Sequence, residues 1–433
     1  VLAYLGFWAM CLVSLGGRPL LGLYYMMPFL PYRTLRDRFI YLPLGGNALT
    51  ILVVAVIAGA LIHGKRLPRS PMFLTWLVFA VYLYISMWIG SAFGHAPAPL
   101  WLGSDNFVTW KDYMLLPLIF VAAGLVVEDR RAVRTVIVLL GVSLLAVDRS
   151  ALGESLAHSW GAFDENKRSS GPLAYGANQL AAFLAQFAMF FWGLAQFMTK
   201  ARVKLACYGM VALTLLATMY TFSRGSYAAV IATVVVLGLV KDRKLLLVAG
   251  LFLLTWQAIV PKAVTERVTM TKDANGHLEA SAEERVELWR QAEQMFLSSP
   301  VIGYGFSTFQ FGQHTDNLKD THNWYVKVLV ETGIVGGMIA LVLLAQMVAA
   351  GYRLFREARD PLYQGLGLGL LLAVCSCAVA NLFGDRWTYI EINGLLWVLV
   401  ATALRARELA GAAVLESLPD RAATAIPRYM AWR

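Results

Sequence analysis

The chain has 433 residues, of which 58% are hydrophobic and only 15% charged, and its mean hydropathy is +0.60. A water-soluble core cannot hide that much apolar surface, which excludes the soluble fold classes and leaves an integral membrane protein. Lys and Arg number 37 against 27 Asp and Glu; short loops between membrane spans account for that excess better than a nucleic acid does.

From the start, residues 1–31 hold two apolar pieces split by Gly16, Gly17, Arg18 and Pro19, which fits one crossing with an interfacial piece or two short crossings. No short apolar segment ends in a small-residue cleavage site, so no removable signal peptide is expected. Runs long enough to span a bilayer follow at 47–63, 71–91, 111–127, 132–147, 178–197, 205–222, 225–240, 243–259, 323–350, 363–384 and 388–404. The expected fold is therefore all-α, a polytopic integral membrane protein of about 12 transmembrane helices, with thirteen as the alternative. The long polar stretch 260–322 forms one large loop outside the membrane, and within it Ala280 to Met295 reads as an amphipathic helix carrying Val286, Trp289 and Met295 among Glu and Arg. These features divide the chain into an N-terminal helix bundle over 1–259, the loop over 260–322, C-terminal helices over 323–404 and a cytoplasmic tail over 405–433.

Basic residues orient the bundle. Lys65, Arg66 and Arg69, then Arg130, Arg131 and Arg134, Lys200, Arg202 and Lys204, Lys241, Arg243 and Lys244, and Arg353, Arg356 and Arg359 occupy alternate loops, which places those loops in the cytoplasm. The segments 92–110, 148–177 and 260–322 then lie on the other side, the cell exterior or periplasm. Arg33, Arg36 and Arg38 fall on that outer side, against the rule.

Charged or imidazole groups at the outer membrane boundary are the candidates for chemistry, because burying them is costly without a partner or a function. Arg224 sits in the tight turn Thr221-Phe222-Ser223-Arg224-Gly225-Ser226, where it either snorkels to headgroups or points into a cavity. Arg285 shares a helix face with Trp289, four residues on, while Arg290 points elsewhere. His322, in Thr321-His322-Asn323-Trp324-Tyr325, stands where the loop returns to the membrane and suits either a general base or a helix cap. Lys327 and Glu331, four apart, are expected to pair with each other. Asp385, beside Arg386 in the last outer turn, is open to orienting His322, to binding an acceptor sugar, or to a plain exposed turn. Cys11, Cys207, Cys375 and Cys377 lie in apolar runs without ligand spacing, and His314 and His322 are eight apart, so neither a metal nor any other cofactor is expected.

Gly303-Tyr304-Gly305-Phe306, followed by His322-Asn323-Trp324-Tyr325-Val326-Lys327-Val328-Leu329-Val330-Glu331-Thr332-Gly333-Ile334-Val335-Gly336, resembles the signature of the bacterial O-antigen ligase and polymerase superfamily. Ser223-Arg224-Gly225 resembles its upstream arginine turn, Arg285 with Trp289 its loop arginine, and Gly171-Pro172-Leu173 with Asn178 and Leu180 a motif ahead of a middle helix. The resemblance implies transfer of a glycan from undecaprenyl diphosphate to a hydroxyl, without metal, at the periplasmic face of the bacterial inner membrane, with 260–322 as one large periplasmic helical loop. By that resemblance Arg224 and Arg285 bind the donor diphosphate and His322 is the base, with Asp385, Arg290, Asn323, Tyr325 and Trp289 as supporting candidates. The expected partners are undecaprenyl diphosphate-linked O-antigen as donor and lipid A-core oligosaccharide as acceptor. A polymerase and a protein-glycosylating enzyme are the rivals within the superfamily. A transporter of an anionic lipid or solute is the rival from another class, though the two related halves with broken helices that it predicts are not seen.

Overall fold

The apolar runs fold as helices because a chain inside a bilayer must satisfy its own backbone hydrogen bonds. A computed structural model describes residues 1–100, 103–156, 163–165, 168–270, 280–311 and 320–416, and among these every regular element is helical. In order they are α1 (Leu2–Leu15), α2 (Pro19–Met26), α3 (Arg33–Arg36), α4 (Ala48–Ile62), α5 (Pro71–Phe93), α6 (Asp105–Val126), α7 (Arg130–Leu156), α8 (Ala177–Ala195), α9 (Ala201–Met219), α10 (Arg224–Val240), α11 (Lys244–Ile259), α12 (Lys262–Thr269), α13 (Ala280–Ser298), α14 (Thr308–Phe311), α15 (Trp324–Glu357), α16 (Pro361–Ala380) and α17 (Ile390–Glu416). Among the described residues, eight helices are long and apolar enough to cross a membrane, or nine if the bent pair α11–α12 counts as one span. The remaining expected spans fall on α1 and α10, which are apolar but shorter, and on α17. The chain is thus a polytopic helical membrane protein.

The opening segment is a hairpin of two short helices. Tyr4 at the start of α1 donates to Pro43 O at 2.5 Å, and Phe7 packs edge-on against Phe39 at 5.7 Å. The turn between α1 and α2 lies at the other end of the bundle, where Gly17 meets the His63 ring that follows α4. Both ends of the 1–31 segment therefore reach the same end of the bundle, which favours two short crossings over one crossing with an interfacial piece.

Two elements shape the functional end. α11 buries none of its residues, so it stands at the margin with apolar side chains facing outward, and the chain then bends by 111° into α12. α15 is two helices joined at Gly333, whose φ of 64° is a left-handed conformation that a side chain would strain. The break lets the 300–305 segment lie directly on it: Tyr304 N donates to Val330 O at 2.9 Å, Gly305 N to Glu331 O at 2.7 Å and Ile334 N to Pro300 O at 2.9 Å. A Cβ on Gly305 would also fall 2.3 Å from Gly90 Cα of α5, so the glycines of the signature serve this close approach.

α13 runs from Ala280 to Ser298, the amphipathic helix expected within the loop. Its Leu288, Ala292 and Met295 pack on Phe309 and Val330, which fastens the loop to the bundle. The region expected as a tail from Arg405 continues α17 to Glu416. Residues beyond it, and His314, lie outside the described residues.

Candidate functional site

Arg224 is the first residue of α10, and Gly225 behind it lies so close to Phe383 that a Cβ would come within 2.7 Å of that side chain. This contact draws the arginine turn against the Asn381–Asp385 segment. Arg224 Nη1 donates to Met270 O at 2.8 Å, and the side chain lines a 350 Å³ cavity together with Arg285 of α13. The two arginines singled out from the sequence, 61 positions apart, therefore meet at one cavity.

Three further arginines line the same space, and the sequence did not single them out: Arg168, Arg267 and Arg386. Arg168 is held by Thr221 O at 2.9 Å, Glu165 at 2.6 Å and Asn178 Oδ1 at 2.6 Å, so the short motif ahead of α8 positions an arginine. Arg267 of α12 is buried, stacks over Phe163 at 4.7 Å and lies 3.6 Å from Glu165. Arg386 is buried in the turn before α17, its backbone N–H bonded to Asn381 Oδ1 at 2.9 Å. Among the described residues that line the cavity, Glu165 is the single carboxylate against five guanidinium groups, so the cavity favours an anion.

His322 has a φ of 50°, a left-handed conformation that turns the chain from the loop into α15. Its backbone N–H donates to Asp320 Oδ1 at 2.9 Å, and its Nδ1 lies 3.2 Å from the same oxygen. The imidazole is 39% exposed, open enough to meet a second molecule. Burial of the rest lowers its pKa below the ordinary histidine value; Asp320 opposes that, Arg285 and Arg386 reinforce it, and Glu284 opposes it weakly. A carboxylate on Nδ1 favours the tautomer with its proton there, leaving Nε2 as a proton acceptor. His322 does not line the 350 Å³ cavity itself; the charges of Arg285 and Arg386 reach it from that side. Asp320, two residues ahead in the sequence, was not singled out, although an Asp at that spacing is the signal to look for.

The other expectations separate cleanly. Asn323, not His322, caps α15, its Oδ1 accepting from Tyr325 N at 3.0 Å and Val326 N at 3.3 Å. Trp289 donates from Nε1 to Thr321 O at 2.8 Å and so ties the Arg285 helix to the residue before His322. Tyr325 donates to Ala378 O at 2.8 Å, anchoring α15 on α16. Arg290 points to the surface and pairs with Glu287 at 2.8 Å.

Two expectations are corrected. Lys327 pairs with Asp385 at 3.1 Å rather than with Glu331, because its longer reach spans to the buried turn. Asp385 is accordingly no exposed turn residue: it is buried, accepts from Trp387 N, Thr388 N and Thr388 Oγ1, and does not touch His322. Burial alone would raise its carboxyl, but Lys327 and Thr388 hold it below the ordinary value. The ion pair locks the turn that carries Arg386.

The fold and site define a multi-pass helical membrane protein with an arginine-lined, anion-attracting cavity and a carboxylate-oriented histidine at one end. Residues 209–341 match the O-antigen ligase family model, which supports membership of the O-antigen ligase and polymerase superfamily, whose members are glycosyltransferase-like ligases or polymerases. The matched segment contains Arg224, Arg267, Arg285, Asp320 and His322, whereas Arg168 and Arg386 come from outside it. A comparison with curated proteins found no match.

Proposed function

We propose that the chain is an O-antigen ligase, transferring a glycan from undecaprenyl diphosphate to a hydroxyl of lipid A-core oligosaccharide at the periplasmic face of the inner membrane, without metal and with inversion. The observation that carries this reading is the convergence of five arginines on one cavity beside His322. His322 Nε2 takes the proton of the acceptor hydroxyl as its oxygen bonds the anomeric carbon. The bond from that carbon to the diphosphate oxygen breaks on the opposite face, and the leaving diphosphate carries away the electron pair. Guanidinium groups placed around it stabilise the charge that develops.

A lipid-linked donor also needs a place for its tail. A 560 Å³ apolar groove lies between α9, α10 and α11, lined by Leu215, Ile231, Phe252, Trp256 and Val264 among others. Tyr227 and Val268 face this groove, while their neighbours Ser226 and Arg267 face the arginine cavity. An isoprenoid chain in the groove would deliver its diphosphate to the arginines.

Purified protein with lipid-linked glycan and lipid A-core in detergent tests the proposal. A larger lipid A-core product is expected; longer lipid-linked chains without it would make the protein a polymerase, and no transfer to either would overturn the enzymatic reading.

A further inference from the structure

A second polar cavity opens at the same end, and nothing above uses it. It measures 410 Å³ and is lined by Arg33, Asp37, Asp112, Tyr175, Thr388 and Tyr389, with Arg36, Lys327 and Glu391 also on its wall. Its charges differ in kind from those of the arginine cavity. Three basic side chains face three acidic ones, and they are largely matched: Arg36 bonds Glu391, Arg33 lies 3.4 Å from Asp37, and Lys327 is held by Asp385. Aromatic faces are present too, with Arg33 over the Tyr175 ring at 4.1 Å and Tyr175 against Tyr389 at 4.4 Å.

A balanced set of carboxylates and guanidinium groups gives no preference for an anion, but offers many directed donors and acceptors to hydroxyl groups. Tyrosine rings beside them cover the apolar faces of a sugar. The cavity also adjoins an apolar groove: it shares Thr50 and Leu115 with a 630 Å³ groove along α5 and α6, lined by Phe73, Trp76, Ala80, Trp110, Leu118 and Val121 among others. From Trp110 to Val121 that groove follows α6 for about 17 Å, the length of an acyl chain rather than of one sugar. Arg386 lines the arginine cavity, and Thr388 and Tyr389 line this one, so the turn before α17 contributes side chains to both cavities.

We propose that this cavity and its groove seat the acceptor as a glycolipid, its sugars among Tyr175, Asp112 and Tyr389 and an acyl chain against Ala80 and Leu118. The inference rests on the transfer reading above and adds where the second substrate sits. It also explains why Arg33 and Arg36 lie on the outer side against the charge rule: both are fixed in the wall of a binding cavity.

The test measures lipid A-core binding in detergent without donor, for Ala80→Trp, which fills the groove, and Tyr175→Ala, which removes the aromatic wall. Each is expected to weaken binding about tenfold, the equivalent of about two buried methylene groups, while affinity for the undecaprenyl diphosphate-linked glycan stays within about twofold. Parent-like lipid A-core affinity in two folded variants would overturn the proposal, as would a parent protein that does not bind lipid A-core. Weakened donor binding with unchanged acceptor binding would assign the cavity to the donor glycan and overturn the acceptor assignment. Failure of the transfer reading is seen separately, as a parent protein that binds lipid A-core normally yet forms no product.

Discussion

The two ends of the bundle are both rich in arginine, yet they use it in opposite ways. Away from the cavity, several basic groups pair singly with carboxylates at the surface: Arg130 with Asp360 at 2.5 Å, Arg407 with Glu357 at 2.7 Å and Lys65 with Glu128. At the functional end five arginines share one cavity, and among the described residues that line it Glu165 is the one carboxylate. Exposed pairs of the first kind contribute little beyond solubility and orientation. Crowded like charges of the second kind raise the potential of a concave site and favour an anionic ligand that neutralises it. Charge balance within a cavity, rather than the number of basic residues at an end, distinguishes the site.

If the functional end is a reaction centre, the largest effect belongs to His322. His322→Ala should lower the transfer rate by about 10²–10⁴-fold, while lipid-linked donor still binds, because the proposed diphosphate contacts come from the arginines. A folded variant transferring at near the parent rate would remove His322 from the chemistry. Arg285→Ala should follow with a loss of about 10²–10³-fold, the scale of removing one preorganised donor to developing charge. Arg290→Ala and Arg407→Ala, which break surface pairs, should stay within about twofold of the parent; the reverse order between Arg285 and Arg290 would dissolve the contrast between cavity and surface.

Asp385→Asn probes stability instead. It leaves the buried Lys327 ammonium without its counter-charge, and losing one partner of a buried pair costs about 3–5 kcal/mol. A clear fall in thermal midpoint is expected in detergent, whereas a parent-like midpoint would show that the pair does not hold the Arg386 turn.

The smallest effect is a shift in pH dependence. Transfer needs the neutral imidazole, so the rate should fall as pH drops through the His322 pKa, which already lies below the ordinary value. Asp320 raises that pKa and Arg386 lowers it, so Asp320→Asn should move the acidic limb of the rate profile to lower pH and Arg386→Gln to higher pH. Shifts in the opposite directions would mean that the titrating group is not His322.

The sequence by itself determined the class and most of the chain map. Long apolar runs must become helices in a bilayer because no other single segment satisfies its own backbone there, and the amphipathic pattern over Ala280–Met295 marked α13. Arg224 and His322 were legible because each lies at a helix boundary within a short motif, and Arg285 because it shares a face of the amphipathic α13 with Trp289. What only the tertiary structure decided is which distant groups share a space. Arg168, Arg267 and Arg386 lie on three separate segments with no common spacing, and they meet because α12 folds back after the 111° bend while Phe383 packs on Gly225. Lys327 and Glu331 have the spacing of a helical ion pair, but spacing only makes a pair possible; the buried Asp385 carboxylate, 58 residues away, takes the Lys327 ammonium. Local periodicity sets which residues are near in the chain's own helix, and the packing of helices against one another sets which charges face each other.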